Sequence, residues 1–217
     1  MKTRQELKLQ AKEAMRAQRG TAILLLLVYC LVAAALGVVD FWLPFTNTVA
    51  RTWANASGAG FEVYFSWVFS IGMLLSSVMV INMYGEFVRI YRRETASVGA
   101  LFTGYGVNFL RKLGGMLWMG LWLFLWSLLF IIPGIIKGFS YAMTPFILAD
   151  KPDVTAREAL RMSRRMMAGN KGRLFVLVLS FFGWAILSAF TLGILAIVFV
   201  GPYYYTTLAG FYEEVRD

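Results

Sequence analysis

At 217 residues, 59% of them hydrophobic and only 15% charged, the chain is too apolar for an ordinary soluble domain, in which about a quarter of residues carry charge. Its net charge of +9 comes from Lys and Arg placed beside apolar blocks, which points to span orientation and anionic lipid and away from nucleic acid. With no His and one Cys, Cys30, the chain excludes an internal disulfide and a His- or Cys-based metal site.

The first predicted element is a helix within Met1–Arg19. Thr3 followed by Glu6 has capping-box spacing. Leu7, Ala11, Ala14 and Met15 fall on one face, and Lys8, Lys12, Arg16 and Arg19 on another. Such a cationic amphipathic helix suits a membrane surface, or a solvated basic flank that orients the next span. The polar region is too long for a secretory leader, and Ala33-Ala34-Ala35 is only a weak cleavage site, so the first span is expected to stay in the mature protein.

That span is predicted over 21–39, with Ala33 and Gly37 as a small-residue packing face. Asp40–Gly60 reads as an outer loop with Trp42 and Trp53 as interface anchors, Pro44, a glycine break and a single cation, Arg51. Asn55-Ala56-Ser57 matches a glycosylation sequon, a short pattern that carries little weight alone. A second span is predicted over 61–83, where Gly72 and Ser76 form another packing face. Ser66, Ser70, Ser77 and Asn82 are expected to make hydrogen bonds within the bundle rather than line a substrate path. Tyr84–Lys112 reads as a polar connection, with Phe102–Leu110 at the interface.

Leu113–Ala149 is too long for one crossing of a bilayer core about 30 Å thick. A turn at Pro133-Gly134 divides it into spans near 113–132 and 134–149. Trp118, Trp122 and Trp126 recur every four residues and form one stripe, read as lipid-facing bulk or an aromatic seam. The fourth span is short. Pro145 should kink it, and Lys137 is expected to snorkel to the outer headgroups as a structural residue.

Thr155 and Glu158 mark a second capping box, opening a helix over 155–169. Ala156, Ala159, Leu160, Ser163 and Met167 share one face; Arg157, Arg161, Arg164 and Arg165 share another. A cationic interfacial helix beside a span attracts anionic lipid, at about 1 kcal/mol per basic residue. Spans near 174–190 and 194–212 follow, joined by a tight turn at Thr191-Leu192-Gly193, and Gly201-Pro202 interrupts the second.

Basic residues cluster before Gly20, in Tyr84–Lys112 and in Lys151–Arg173, whereas Asp40–Gly60 holds only Arg51. All three basic regions are therefore expected on the cytoplasmic side. A turn at Pro133-Gly134 allows this; a single kinked helix does not. The expected fold is one all-α integral membrane domain over 1–217, a polytopic helical bundle of six spans with cationic amphipathic interfacial helices and both termini cytoplasmic.

No catalytic motif is present. There is no His for base or ligand work, no Gly-x-Ser-x-Gly, no P-loop and no His-Glu-x-x-His. No catalytic, cofactor-binding or metal-binding residue is assigned, and the chain is read as a non-enzyme. The candidate site is lipid-binding: Arg157, Arg161, Arg164 and Arg165 on one helix, Lys8, Lys12, Arg16 and Arg19 on the other.

A series of local patterns resembles the DUF975 family of bacterial integral membrane proteins. They begin with Glu6-Leu7-Lys8, Ala11-Lys12 and Gly20-Thr21-Ala22-Ile23, and continue through the run from Leu125 to Lys137 that contains Ile132-Pro133-Gly134. Tyr141, Pro145, Leu148-Ala149-Asp150, Glu158-Ala159, Lys171-Gly172-Arg173-Leu174-Phe175, Gly183-Trp184, Pro202-Tyr203 and Phe211-Tyr212 follow in order. The resemblance spans nearly the full length. It implies a Gram-positive plasma membrane and assigns no activity to any residue. The leading expectation is a membrane module that binds anionic lipid, or a membrane-protein partner or second copy. The alternative is a small transporter or lipid-export helper with a site at the broken helices near Pro145 and Gly201-Pro202.

Overall fold

Both capping boxes form as read. In the computed structural model, which describes residues 3–35, 59–103, 105, 108–129, 131–191 and 193–216, helix α1 runs over Arg4–Ala17. The Thr3 hydroxyl accepts the Glu6 N–H at 3.3 Å, and the Glu6 carboxylate accepts the Thr3 N–H at 2.8 Å. Leu7, Ala11, Ala14 and Met15 are buried, so the apolar face of α1 is docked on the protein. The chain bends by 92° at Gln18 into α2, Arg19–Ala35. Gln18 fixes the bend: its amide donates to the Glu94 carbonyl at 2.6 Å and its side-chain oxygen accepts the Ala96 N–H at 2.9 Å. Residues 40–58 of the expected outer loop, with Trp42, Trp53, Arg51 and the sequon, lie outside the described residues, as does Gly37, while its last two, Ala59 and Gly60, open the next helix.

Helix α3, Ala59–Tyr91, continues eight residues past its expected end at Met83. Its extension carries Glu86 and Arg89, an i,i+3 pair at 3.2 Å. The helix stops where Arg93 takes φ 63° and the Glu94 N–H reaches back to the Arg89 carbonyl at 2.9 Å. The chain then returns along α3 through a 3₁₀ turn, Val98–Phe102, pinned by Asn82, whose amide donates to the carbonyls of Leu101 and Thr103. Asn82 thus serves packing, as read.

Helices α4, Phe109–Leu129, and α5, Ile131–Tyr141, form the expected hairpin. Helix α4 ends at Leu129 and α5 begins at Ile131, so the new helix starts two residues before Pro133-Gly134. Pro133 instead occupies the first turn of α5, where a missing N–H leaves no hydrogen bond broken. The return arm is two helices rather than one. After a break at Ala142–Met143, α6 covers Thr144–Asp150, and Pro145 starts this helix instead of kinking a longer one. Arg111 closes the hairpin at its base, donating to the carbonyls of Leu148 (2.8 Å), Lys151 (3.1 Å) and Val154 (2.9 Å). The Leu148 carbonyl lies in the last turn of α6, where helical partners run out, and the other two lie in the segment that links α6 to α7.

Helix α7, Ala156–Met166, is shorter than the expected 155–169 and is followed by Gly169 at φ 79°. It buries Ala159, Leu160, Ser163 and Met167 against α4, α5 and α6. The Ser163 hydroxyl repairs the α5–α6 break by accepting the Met143 N–H at 3.2 Å and donating to the Ser140 carbonyl at 2.9 Å.

Helices α8, Lys171–Leu179, and α9, Phe182–Phe190, are divided at Ser180–Phe181. The turn closes at Gly193, φ 82°, as expected. A π-helical segment, Ala196–Val200, then leads into α10, Gly201–Arg216. Pro202 explains the wide turn: its ring would strike the carbonyl four residues back, so the helix opens and the Gly201 N–H reaches Ala196. Contacts of Arg173 with Glu214, Phe181 with Tyr203, and Trp184 with Phe199 show the two arms running antiparallel.

All regular elements among the described residues are helical, with no strand. The core joins Met83 and Phe87 of α3, Phe146 of α6, Tyr212 of α10 and Met15 of α1. Phe146 stacks on Tyr212 with centroids 5.4 Å apart. The far halves of both hairpins leave large apolar side chains uncovered: Phe124 is 64% exposed, Leu128 73% and Phe190 83%. By length and composition, one described helical stretch, Lys171–Phe190, could cross a membrane; α1 and α2 pass the same test only as a bent pair.

Candidate functional site

Charge is absent from Leu174 to Tyr212 and from Leu113 to Ile136, so ionic chemistry collects where the apolar runs end. There an ionic clasp joins three helices. Arg92, just past α3, lies 2.8 Å from Asp150 at the end of α6 and 2.7 Å from Glu213 on α10. Arg216 reaches the other Asp150 oxygen at 3.0 Å, and the Tyr212 hydroxyl donates to that oxygen at 3.0 Å. Burial pushes the Asp150 carboxyl up. Hydrogen bonds from Arg92 and Tyr212, with the charges of Arg92 and Arg216, outweigh burial and hold it below the ordinary carboxylate range. For Arg92, burial works downward, and the hydrogen bonds and charges of Asp150 and Glu213 raise it overall.

None of these clasp residues was singled out from sequence as a site. The available signal was position. Asp150 directly follows Leu148-Ala149, and Glu213-Glu214 directly follows Phe211-Tyr212, so each acid stands at the end of an apolar run. The basic pair Arg111-Lys112, counted only toward orientation, proves structural: Arg111 caps α6 and Lys112 bonds Asn82. Among the described residues, no group of three Cys, Asp or Glu could hold a metal ion.

The predicted lipid-binding residues fall into two separate sets. On α7, Arg157, Arg161, Arg164 and Arg165 are all exposed. Glu158, on the same helix, is held below its ordinary range by the Thr155 N–H and hydroxyl. Arg157 lies over the Trp118 ring, 5.0 Å from its centroid. On α1, Lys12, Arg16 and Arg19 are exposed, while Lys8 is half-buried. Lys8 donates to the Ser180 carbonyl at 3.4 Å and lies 4.3 Å from the centre of the Phe181 ring, so it joins α1 to the α8–α9 break. Because α1 packs on α10 and α3, and α7 on the α4–α6 hairpin, the two sets serve different regions. Neither apolar face is available to lipid, since both are used against the protein. What remains outward is mainly polar and charged, with Leu9 of α1 exposed among it.

The tryptophan stripe has a use that its spacing did not reveal. Trp118 carries Arg157, and Trp126 carries Lys137 at 4.3 Å. Lys137 is one turn before Ser140, which bonds Ser163 of α7, and its Trp126 partner lies three residues before the end of α4.

Two cavities adjoin this region. The first, about 290 Å³, lies at the hairpin base between Arg111, Trp118, Asp153 and Arg157. The second, about 380 Å³, lies beside the α5–α6 break. Its walls include Tyr84, Leu123, Gly138, Phe139, Leu174 and Tyr204, and no charged side chain lines it.

No curated protein and no solved structure matches the chain. A family model described as "Protein of unknown function (DUF975)" matches residues 1–137 and again 128–217, the two matches overlapping across the α4–α5 turn. Together they cover the whole sequence, and the chain belongs to the DUF975 family.

Proposed function

We propose that this chain is a multi-pass protein of the bacterial plasma membrane whose cationic end engages anionic lipid, without catalysing a reaction. The observation that carries the reading is the division of the surface. Phe124 and Leu128 on α4, and Phe182, Ile186 and Phe190 on α9, are exposed within the charge-free runs Leu113–Ile136 and Leu174–Tyr212. A soluble monomer rarely leaves apolar surface uncovered on that scale. Only 22% of the most apolar window in Lys171–Phe190 is buried, unlike the core helix of a soluble protein. The exposed arginines of α7 then stand beside the hairpin base, where cytoplasmic headgroups are expected by the positive-inside rule.

Six crossings with both termini inside remain the topology of choice, because the α4–α5 reversal brings Arg111 to Lys151 and Val154. The test replaces Arg157, Arg161, Arg164 and Arg165 with Gln and measures lipid co-purified with the full chain. Phosphatidylglycerol should fall relative to phosphatidylethanolamine while insertion is preserved. Unchanged lipid with correct insertion sinks the reading. A second reading, a small transporter or lipid-export helper, draws support from the 380 Å³ cavity at the helix break.

A further inference from the structure

We propose that the cavity beside the α5–α6 break takes one acyl chain of an anionic phospholipid whose phosphate is held by Lys137, Arg164 and Lys171. This rests on the anionic-lipid reading and gives it a discrete site. The placement follows from packing. Ser140, three residues after Lys137, bonds Ser163, the neighbour of Arg164. Phe139 meets Phe175, one turn after Lys171, with centroids 5.8 Å apart. The Lys137 ammonium lies 4.3 Å from the centre of the Trp126 ring, and Arg164 and Lys171 belong to the two helices, α7 and α8, that pack against α5 here. None of the three forms a salt bridge among the described residues. Three like charges converging without an acid form a site for a phosphate, whose oxygens would offset their mutual repulsion.

The cavity begins where this cluster ends. Gly138 follows Lys137, and Leu174 lies one turn beyond Lys171; both line the cavity. A Cβ at Gly138 would meet nothing within 4 Å. A glycine inside a helix costs about 1 kcal/mol relative to alanine. Its backbone has no positive φ and makes no close approach, so the space its missing side chain leaves belongs to the cavity. An apolar pocket beneath a cationic mouth fits an amphiphile, and a free anion would leave the pocket unfilled.

The experiment delipidates the full chain and adds phosphatidylglycerol or inorganic phosphate, with native mass spectrometry as the readout. One phosphatidylglycerol should be retained, and phosphate should not. Substituting Lys137→Gln, Arg164→Gln and Lys171→Gln together should weaken retention roughly a hundredfold, as expected for losing three basic residues at a headgroup. Gly138→Phe, which changes no charge, should also abolish it, whereas Gly138→Ala should not. Independently of whether any variant folds, phosphatidylglycerol bearing a diazirine near its acyl terminus should label Met119, Leu123 or Phe139 in the wild type. Labelling confined to other residues, equal retention of phosphate, or retention unaffected by both Gly138→Phe and the triple exchange overturns the proposal. If phosphatidylglycerol is then still lost on Arg157→Gln, Arg161→Gln and Arg165→Gln, the broader reading stands without this site. If the wild type holds no phosphatidylglycerol, both fall.

Discussion

Arg92 holds Asp150 at 2.8 Å, and through that contact the end of α3 is fastened to the end of α6. Asp150 also receives Arg216, so α10 is tied at the same point. With its side chain only 11% exposed, Asp150 cannot be removed without stranding two guanidinium groups against a weakened partner set. Breaking a buried pair costs about 3–5 kcal/mol; partial exposure of the arginines places Asp150→Ala near about 2–3 kcal/mol. Thermal unfolding of Arg92→Ala, Asp150→Ala and the double variant in one detergent should give a clear coupling energy. Strictly additive losses would remove the clasp from any account of stability.

The same carboxylate makes stability depend on acid. Asp150 is depressed below its ordinary value of 3.8, so at intermediate pH the unfolded chain binds more protons than the folded one. The clasp therefore contributes fully above the ordinary value and loses its contribution as pH falls through the folded one. Asp150→Asn should be less stable than wild type at neutral pH, and the gap should close under acid. A gap that is constant down to pH ~3 would contradict this linkage.

What could be read from sequence was whatever depends on local pattern. Thr3 with Glu6 and Thr155 with Glu158 announced two helix starts, and the buried face of α1 is the one its spacing named. Gly193 marked its turn. The misplacements share a cause. By sequence Pro133 reads as a turn and Pro145 as a kink, but a proline is equally at home in the first turn of a helix, and only tertiary contacts decide which. The apolar faces of α1 and α7 were assigned to a membrane surface because sequence cannot distinguish lipid from a neighbouring helix as the covering partner. The clasp was invisible because Arg92, Asp150 and Glu213 meet only after three helices have packed.

The hairpin makes a sidedness prediction. In a Cys30→Ser background, a cysteine at Ala54 should react with an impermeant reagent added outside intact cells. Cysteines at Gly99 and Ala168 should not. Ala168 is preferred to Gly169, whose φ of 79° would strain any side chain. Outside labelling at Ala168 would separate the two basic regions that Arg111 now joins and remove the six-span topology.

The π segment predicts a sensitive glycine. A Cβ on Gly201 would lie 2.6 Å from the Ala196 carbonyl oxygen and 2.7 Å from Leu26 Cδ1. The oxygen belongs to backbone already displaced to accommodate Pro202. Gly201→Ala should therefore lower the melting temperature although alanine favours helices by about 1 kcal/mol. Gly120→Ala is the matched control, since nothing lies within 4 Å of its Cβ, and it should be neutral or stabilising. Equal melting temperatures for the two variants would show that α10 moves away from α2 at little cost.

The two faces of α7 should separate stability from lipid engagement. Leu160 is 5% exposed and Met167 is fully buried, packed on the hairpin rather than on solvent or lipid. Truncating such side chains leaves cavities, at about 2–5 kcal/mol each. Leu160→Ala with Met167→Ala should therefore lower the melting temperature sharply and loosen the Met143 break, which depends on Ser163 of the same face. Arg157→Gln loses the Trp118 contact, about 0.5–1 kcal/mol. Arg161 and Arg165 project outward, and their exchange for Gln should change melting little, by about 0.5 kcal/mol or less per surface position. It should instead reduce the salt-sensitive share of anionic-lipid binding, because exposed charges act within a Debye length of about 8–10 Å. The measurement is a melting curve and a lipid-binding isotherm for each variant at low and high salt. If the arginine variant melts early and the apolar variant does not, then α7 is held to the protein by charge, and its arginines are not free to meet headgroups.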